Sequence, residues 1–433
     1  MSLTDRLTLL RTGFTRTFWV ANVIELFERF AYYGAMAVLT IYVAEQVGLG
    51  PEKAGWLVGS LFTMLVYFLP ILAGTVVDRY GFKKSLTACF SIFSVGYLLI
   101  GLGGLPAGKP LVEALGPTTY MVVTLVITAI GASLIKPSIV GTVARTTVAE
   151  TKGLGYSIYY TLVNFGGAIG PLLALSVRQN LGIAYVLVMS SITSLILVAA
   201  TQIFYKEPPQ PADAPPARSM GKVFADMLLV FGNVRFMAFL VIFSGFWMMF
   251  WLIFLALPYY VRDVLHFEQF ELSAVVGPTT IILTTVPMAA LAKKLKPMTA
   301  MTMGFGLASA SWFLMGSVQT ALAAGAAIVV FSLGEGLQAP RYYEYVANLA
   351  PREQVGTYMG FAFLPIAIGS LVAGPLAGHL VATYVEPFRS GVPGAPPPQT
   401  MWYVVGCIGL VATFAMWLYD RLVARRPPAS RPA

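Results

Sequence analysis

The sequence predicts an all-α integral membrane protein whose twelve transmembrane helices form two bundles of six. Hydrophobic residues make up 57% of the 433 residues and charged residues only 11%, with a mean hydropathy of +0.76. A soluble domain carries about a quarter of its residues as charged side chains. Apolar stretches of about 20 residues, the length that a bilayer requires, recur twelve times. None of them alternates as a transmembrane β-strand would.

The twelve stretches follow one another with short polar connections. They cover residues 17–43, 53–77, 84–104, 117–143, 153–177, 182–205, 235–260, 272–292, 297–319, 321–348, 355–382 and 400–420. The Pro-rich polar segment "QPADAPPARSMGK" separates the sixth from the seventh and is typical of a loop. We therefore predict an N-terminal bundle at 1–206, a cytoplasmic linker at 207–222 and a C-terminal bundle at 223–433.

Basic residues predict the orientation. Cytoplasmic segments carry the excess of Lys and Arg, and most of the 28 such residues fall on the side that holds both termini. We expect a multi-pass protein of the cell membrane with both termini in the cytoplasm. This topology explains the net charge of +9 without a nucleic-acid partner.

Catalytic and metal-binding patterns are missing from the sequence. The two cysteines lie in apolar stretches, which indicates neither a disulfide framework nor a metal site. No nucleophile with a neighbouring base is visible either. We therefore expect neither an enzyme nor a cofactor.

The first predicted helix carries ionisable groups in "ELFERFAYYG", residues 25–34. Successive residues of a helix are 100° apart around its axis. The polar residues of this segment and one methionine that follows it therefore fall within an arc of about 140°. These residues are Glu25, Glu28, Arg29, Tyr32, Tyr33 and Met36. One charge at the bilayer centre costs roughly 2.5 to 3.5 kcal/mol, so this face must look into the protein or into water. A static ion cluster that fixes the helix against its neighbours is the alternative.

The fourth helix offers a partner for these charges. "GASLIKPSIVG" puts Lys136 at a depth close to that of Glu25 and Glu28. A buried lysine is costly when it is unpaired, so we expect Lys136 to neutralise the surplus negative charge of the first helix. Snorkelling toward the cytoplasm is the alternative.

A short loop resembles that of a known transporter superfamily. "GTVVDRYGFKK", residues 74–84, is similar to the loop between helices 2 and 3 of the major facilitator superfamily. Asp78 could cap a neighbouring helix end and pair with an arginine in one state of a rocking protein. We therefore expect Asp78 and Arg79 to take part in gating, although an ordinary basic loop would look similar.

Other motifs resemble those of the proton-coupled oligopeptide transporters, a family of that superfamily. "ELFERFAYYG" is similar to their helix 1 signature, and "GASLIKP" to their helix 4 lysine motif. In "YSIYYTLVNFGGAIG", Tyr160 and Asn164 match the helix 5 pattern, and Tyr67 matches a helix 2 tyrosine. "GEGLQAPRYYEYVANLAPREQ", with its continuation to Gly378, resembles the helix 10 to 11 block and puts Glu335 at a binding-site glutamate.

The resemblance implies a major facilitator fold and the import of di- or tripeptides, or related small zwitterions, with protons by alternating access. It implies a small peptide-like solute and the lipid bilayer as partners, and we expect a monomer. The implied proton-coupling residues are Glu25, Glu28, Arg29 and Lys136. The implied substrate-binding residues are Tyr32, Tyr33, Tyr67, Lys136, Tyr160, Asn164 and Glu335. We expect these acids and bases of helices 1, 4 and 10 to surround one wet chamber.

A second pair of charges lies in the tenth predicted helix. Arg341 and Glu344 are three residues apart, so they can form a local pair or a cytoplasmic gate. The spacing favours the local pair, and gating is the alternative.

The sequence also departs from the family pattern. Met36 replaces an arginine of helix 1, Phe250 a glutamate of helix 7, Gly277 an asparagine of helix 8 and Ala362 a tryptophan of helix 11. Two alternatives therefore stay open. One is a proton-coupled exporter of drugs, amphipathic lipids or metabolites, and the other is a membrane sensor that binds a ligand without moving it.

Overall fold

A computed structural model describes residues 13–210, 220–350 and 355–424. Within these ranges the chain is helical and contains no β-strand. In the first half, the helices are α1 (Arg16–Ile41), α2 (Gly50–Phe68 with Pro70–Tyr80), α3 (Phe82–Leu102), α4 (Pro117–Arg145), α5 (Ala149–Leu181) and α6 (Ala184–Phe204).

The second half repeats this arrangement after a short helix at Met220–Phe231. Its helices are α7 (Val234–Leu255, continuing to Val264), α8 (Leu272–Lys293), α9 (Pro297–Ser317), α10 (Ala321–Leu349), α11 (Val355–Phe361 and Leu364–Leu380, continuing to Arg389) and α12 (Thr400–Tyr419, continuing to Ala424). The predicted linker therefore ends within a helix, which begins at Met220. Residues 211–219 of that linker lie outside the described part of the chain, and the two bundle boundaries stay a prediction.

Prolines shape two of the helices. α2 bends by 40° before Pro70, and α4 is interrupted at Leu134, three residues before Pro137. Proline lacks the N–H that a helix needs and its ring crowds the preceding turn. The interruption of α4 lies directly beside Lys136.

The prediction of twelve membrane helices is confirmed. In the described residues, nine helices are long and apolar enough to cross a membrane, and the bent α2 makes a tenth. The remaining two, α1 and α9, have 26 and 21 residues and pack among the others. α1 is less apolar because it carries the charged face that the sequence analysis identified.

Close helix packing seals one end of the interface between the halves. We call this the outer end; the opposite, terminal end carries the first and last described residues. Gly55 of α2 lies against Gly374 of α11, where an added Cβ at Gly374 would be 2.5 Å from the Gly55 carbonyl oxygen. Small residues permit such backbone contact. The Ser60 hydroxyl also donates to the Leu371 carbonyl at 2.7 Å.

Ion pairs reinforce the outer end. Arg262 of α7 contacts the Glu45 carboxylate at 2.5 Å, and Arg389 contacts it at 2.8 Å. Arg178 of α5 pairs with Glu271, which is fully buried at the start of α8. These contacts tie the first half to the second at one end.

The terminal end is more open. Tyr160 of α5 and Tyr343 of α10 are electrostatic neighbours across the interface. Their side chains nevertheless remain 40% and 37% exposed. Solvent therefore reaches the interface from the terminal end while the outer end is closed.

Candidate functional site

Glycines bring α5 close to the charged face of α1. A Cβ added at Gly166 would collide with the Arg29 side chain, and one at Gly170 would lie 3.0 Å from the Gly34 backbone nitrogen. Such contacts require small residues on both helices. They hold α5 against the face that carries Glu25 and Arg29.

Four ionisable side chains form a buried charge cluster. The Arg29 Nε atom lies 2.5 Å from Glu28 Oε2 and 3.4 Å from Glu25 Oε1. The Lys136 Nζ atom of α4 lies 3.5 Å from the same Glu25 oxygen. Glu25 is fully buried and Glu28 is 2% exposed. Two acids therefore face two bases, and the charges balance when all four are ionised.

Hydrogen bonding in this charge cluster is incomplete. Among the described residues, Glu25 Oε2, Glu28 Oε1 and the Tyr32 hydroxyl have no hydrogen-bond partner. A buried polar group without a partner costs about 1 to 3 kcal/mol. The two free carboxylate oxygens are therefore acceptors for a proton, a water or a ligand donor.

Tyr159 of α5 belongs to the charge cluster, and sequence reasoning missed it. Lys136 donates to its hydroxyl at 3.0 Å, and the hydroxyl donates to Glu25 at 3.4 Å. The adjacent Tyr160 points away and is exposed, while the Asn164 amide donates to the Tyr160 carbonyl at 2.9 Å. Side chains of successive residues in a helix point about 100° apart. The rotation of α5 about its axis therefore determines which of the two tyrosines contacts Lys136.

A first, narrow cavity of about 20 Å³ borders the charge cluster. Its polar lining consists of Glu28, Arg29, Tyr32, Tyr67 and Lys136. The Tyr67 ring of α2 lies 5.6 Å from Trp251 of α7, so aromatic contact joins the two halves beside this cavity.

Glu335 lies in a second cavity of about 70 Å³. Tyr33, Asn164 and Glu335 line it together with apolar side chains, and Glu335 is an electrostatic neighbour of Tyr160 and Tyr343. Tyr32 of α1 lines the first cavity and the adjacent Tyr33 lines the second. The expectation of one shared chamber stays a prediction. The Arg29 guanidinium lies 4.9 Å from the centre of the Tyr32 ring and 5.9 Å from that of the Tyr33 ring.

The departures from the family pattern lie at different places in the structure. Phe250 and Gly277 line the second cavity. Met36 and Ala362 are each 1% exposed and belong to the hydrophobic core. The two replacements in α7 and α8 thus remove polar groups from the cavity that holds Glu335.

The gating candidates lie at the terminal end. Asp78 and Arg79 are exposed there. The helix cap that we expected from Asp78 is supplied by Glu207, which accepts hydrogen bonds from the Phe82 and Lys83 backbone nitrogens at 2.8 and 2.7 Å. Glu207 follows α6 in sequence, so only the fold brings it to the start of α3.

Arg341 and Glu344 form the local ion pair that their spacing favoured. Arg341 also donates to the Ala292 and Leu295 carbonyls at 2.8 and 2.9 Å. This side chain therefore fastens α10 to the end of α8 within the second half. A gating role for the pair stays a prediction.

Comparisons with known proteins agree with the fold. The family model described as Major Facilitator Superfamily matches residues 21–374. A di-/tripeptide transporter of Lactococcus lactis subsp. cremoris is 29% identical over 224 residues, 48% of this chain and 42% of that protein. Dipeptide and tripeptide permease B of Xenorhabdus bovienii is 28% identical over 172 residues, 39% of this chain and 32% of that protein. These alignments span less than half of the relatives' length.

Solved structures give broader coverage. A POT family transporter in complex with a thioalcohol conjugated peptide has a TM-score of 0.75 and 17% identity, over 94% of this chain and 96% of that one. The POT family transporter PepTSo also has a TM-score of 0.75, with 18% identity over 95% and 99% of the two chains. The expected fold and the resemblance to proton-coupled oligopeptide transporters are thereby confirmed.

Proposed function

The chain belongs to the Major Facilitator Superfamily, and we propose that within it the protein is a proton-coupled symporter. It would import di- or tripeptides, or related small zwitterionic solutes, by alternating access. The superfamily consists of transporters, so the chain is a multi-pass membrane transporter and not an enzyme. The site would bind a small peptide-like solute.

The charge cluster is the observation that carries this proposal. The charges of Glu25, Glu28, Arg29 and Lys136 balance, and the first three side chains are buried. One oxygen of each carboxylate nevertheless has no partner within the described chain. A carboxylate beside a cation stays ionised until the cation moves away, and it then takes up a proton. Because Glu25 and Lys136 lie on different helices, a small shift of α4 against α1 can change their contact.

The remaining roles follow from the two cavities. We assign proton coupling to Glu25, Glu28, Arg29 and Lys136, with protons as the coupling ion and no cofactor. Substrate contacts are assigned to residues that line the cavities or lie beside them: Tyr32, Tyr33, Tyr67, Lys136, Tyr160, Asn164 and Glu335. Gating is assigned to Asp78 and Arg79, and Arg341 with Glu344 would hold α8 and α10 together while the halves move.

The proposed location is the cell membrane, with both termini in the cytoplasm and the protein acting as a monomer. In this orientation the closed outer end faces outward and the open end faces the cytoplasm. The described conformation would then be the one that releases solute inward. Return to the outward-open state would require the ion pairs of Glu45 and Arg178 to break.

Reconstituted vesicles test the proposal. The wild type should accumulate a labelled dipeptide when a proton gradient is imposed. Glu28→Gln should lose that accumulation but keep counterflow exchange, because the substitution removes the proton acceptor and preserves the size of the side chain. Glu113→Gln is the matched control, since Glu113 is an exposed acid of the short helix Lys109–Leu115, which precedes α4. Accumulation that survives collapse of the proton gradient, or that is unchanged in Glu28→Gln, would refute proton coupling.

A specific observation favours a second candidate function. The second cavity has Phe250 and Gly277 in its wall and is otherwise largely apolar. Such a lining also suits a proton-coupled exporter of drugs or amphipathic lipids and metabolites. Cells without the protein should then become more sensitive to amphipathic drugs and lose no peptide uptake.

A further inference from the structure

We propose that the second cavity selects solutes that carry a protonated amine but no free carboxylate. Peptide amides, peptide esters and apolar arylalkyl amines have this chemistry. The inference rests on the proposed function, because it assumes that the cavity around Glu335 receives the transported solute. Among peptide-like solutes, it favours cations with an apolar body over zwitterions.

The charge of the cavity supports a cationic ligand. Glu335 is the only Lys, Arg, His, Asp or Glu among the described residues that line it. No basic side chain of the described chain forms an ion pair with Glu335. An acid inside a membrane span is costly and is normally paired. An ammonium group supplies both the missing charge and several hydrogen-bond donors.

The cations of the neighbouring charge cluster are already engaged. Arg29 contacts Glu28 and Glu25, and Lys136 contacts Glu25 and the Tyr159 hydroxyl. A ligand carboxylate would have to displace one of these acids from a cluster whose charges balance. Removing one partner from a buried pair is strongly unfavourable. In the described conformation both cations of the cluster are therefore already paired.

The walls of the cavity are unsuitable for a second ligand charge. The Phe250 ring lies 5.7 Å from the Phe254 ring and 6.3 Å from the Phe331 ring. Aromatic faces attract cations and accommodate apolar groups, whereas a carboxylate loses its hydration there without compensation. Asn164 and Ser332 are uncharged and suit the carbonyl of an amide.

Four ligands that share one dipeptide framework and differ in charge test the inference. Alanyl-phenylalanine is a zwitterion, and its C-terminal amide is a cation. N-acetyl-alanyl-phenylalanine is an anion, and the amide of that compound is neutral. Binding to the purified full-length protein is measured at pH 6.5 by displacement of a labelled amide, and transport is measured separately in vesicles with an imposed proton gradient. We expect the amide to bind about tenfold or more tightly than the zwitterion, which corresponds to one charged hydrogen bond. The two N-acetyl compounds should bind most weakly.

Variants connect the preference to Glu335. Glu335→Gln should abolish the advantage of the amide over the neutral N-acetyl amide, whereas Glu335→Asp keeps the charge and should retain most of it. If Glu335→Gln does not fold, the ligand series on the wild type decides alone. Tighter binding of the zwitterion than of the amide overturns the inference and leaves the proposed function intact. Binding of the amide without proton-driven uptake supports the inference and contradicts the proposed function. Absence of binding by all four ligands overturns the inference.

Discussion

Loss of Lys136 should destabilise the protein because it leaves the buried Glu25 carboxylate short of a counterion. The Lys136 Nζ atom lies 3.5 Å from Glu25 Oε1. With an effective dielectric constant of about 20, Coulomb's law gives about 5 kcal/mol at this separation. The lysine side chain is 24% exposed, so water screens part of this energy. We therefore expect Lys136→Met to cost about 3 kcal/mol, at the lower end of values for broken buried pairs.

The double variant Glu25→Gln with Lys136→Met should be more stable than Lys136→Met alone. It removes one acid and one base, so Arg29 and Glu28 remain as a balanced pair at 2.5 Å. The two single changes should therefore not add, and the difference measures the interaction between the two side chains. A buried pair can often be replaced by neutral residues at little cost.

Thermal unfolding in detergent, followed by tryptophan fluorescence, measures these differences. Lys136→Met should lower the melting temperature by roughly 5 °C, as expected for about 3 kcal/mol in a large chain. Lys109→Met is the matched control, because Lys109 and Glu113 form an i,i+4 pair that is 73% and 67% exposed. An exposed pair contributes little. The reasoning is refuted if Lys136→Met and Lys109→Met lower the melting temperature equally. It is also refuted if the double variant loses as much stability as Glu25→Gln and Lys136→Met lose together.

Three further predictions concern the outer end. Gly374→Ala should push α2 and α11 apart. A cysteine introduced into their contact at the outer end should then react faster with a membrane-impermeant thiol reagent. Gly325→Ala is the control and should not change this rate, because a Cβ added at Gly325 meets nothing within 4 Å. Burial tends to raise the pKa of Glu45, but its two arginine partners outweigh this and lower it overall. Glu45 therefore contributes fully to closure of the outer end at a pH above the ordinary glutamate pKa, and this contribution is lost as the pH falls through the lowered pKa of Glu45. The wild type should open in acid, and Glu45→Gln should not. Identical opening of the wild type and the variant would contradict this. Arg178→Gln leaves the fully buried Glu271 without its ion-pair partner, so the melting temperature should fall. It should recover in the double variant that also carries Glu271→Gln. If the double variant does not recover, the ion pair does not contribute to stability as described.

Properties encoded in one helix could be predicted from the sequence. Each membrane span is recognised by its own apolar length. The polar face of α1 follows from helical periodicity, and the structure buries Glu25, Glu28 and Arg29 on it as expected. The pairing of Arg341 with Glu344 was accessible for the same reason, because the two residues lie on one helix.

Properties that depend on how helices are rotated against each other could not be predicted. Tyr159 and Tyr160 are adjacent, and only the contact of α5 with α1 decides that Tyr159 meets Lys136. Glu207 caps α3 across 125 residues of sequence, so no local pattern announces it. Tyr32 and Tyr33 likewise line different cavities, because adjacent residues of a helix point about 100° apart.

Arg29 offers a route by which solute and proton can influence each other. Here the solute cavity and the charge cluster meet at Arg29, whose guanidinium lies beside the rings of Tyr32 and Tyr33 and is bonded to Glu28. A ligand that moves Tyr33 would shift Arg29. This shift would weaken the hydrogen bond and ion pair between Arg29 and Glu28. Solute binding and proton uptake could therefore be coupled through Arg29.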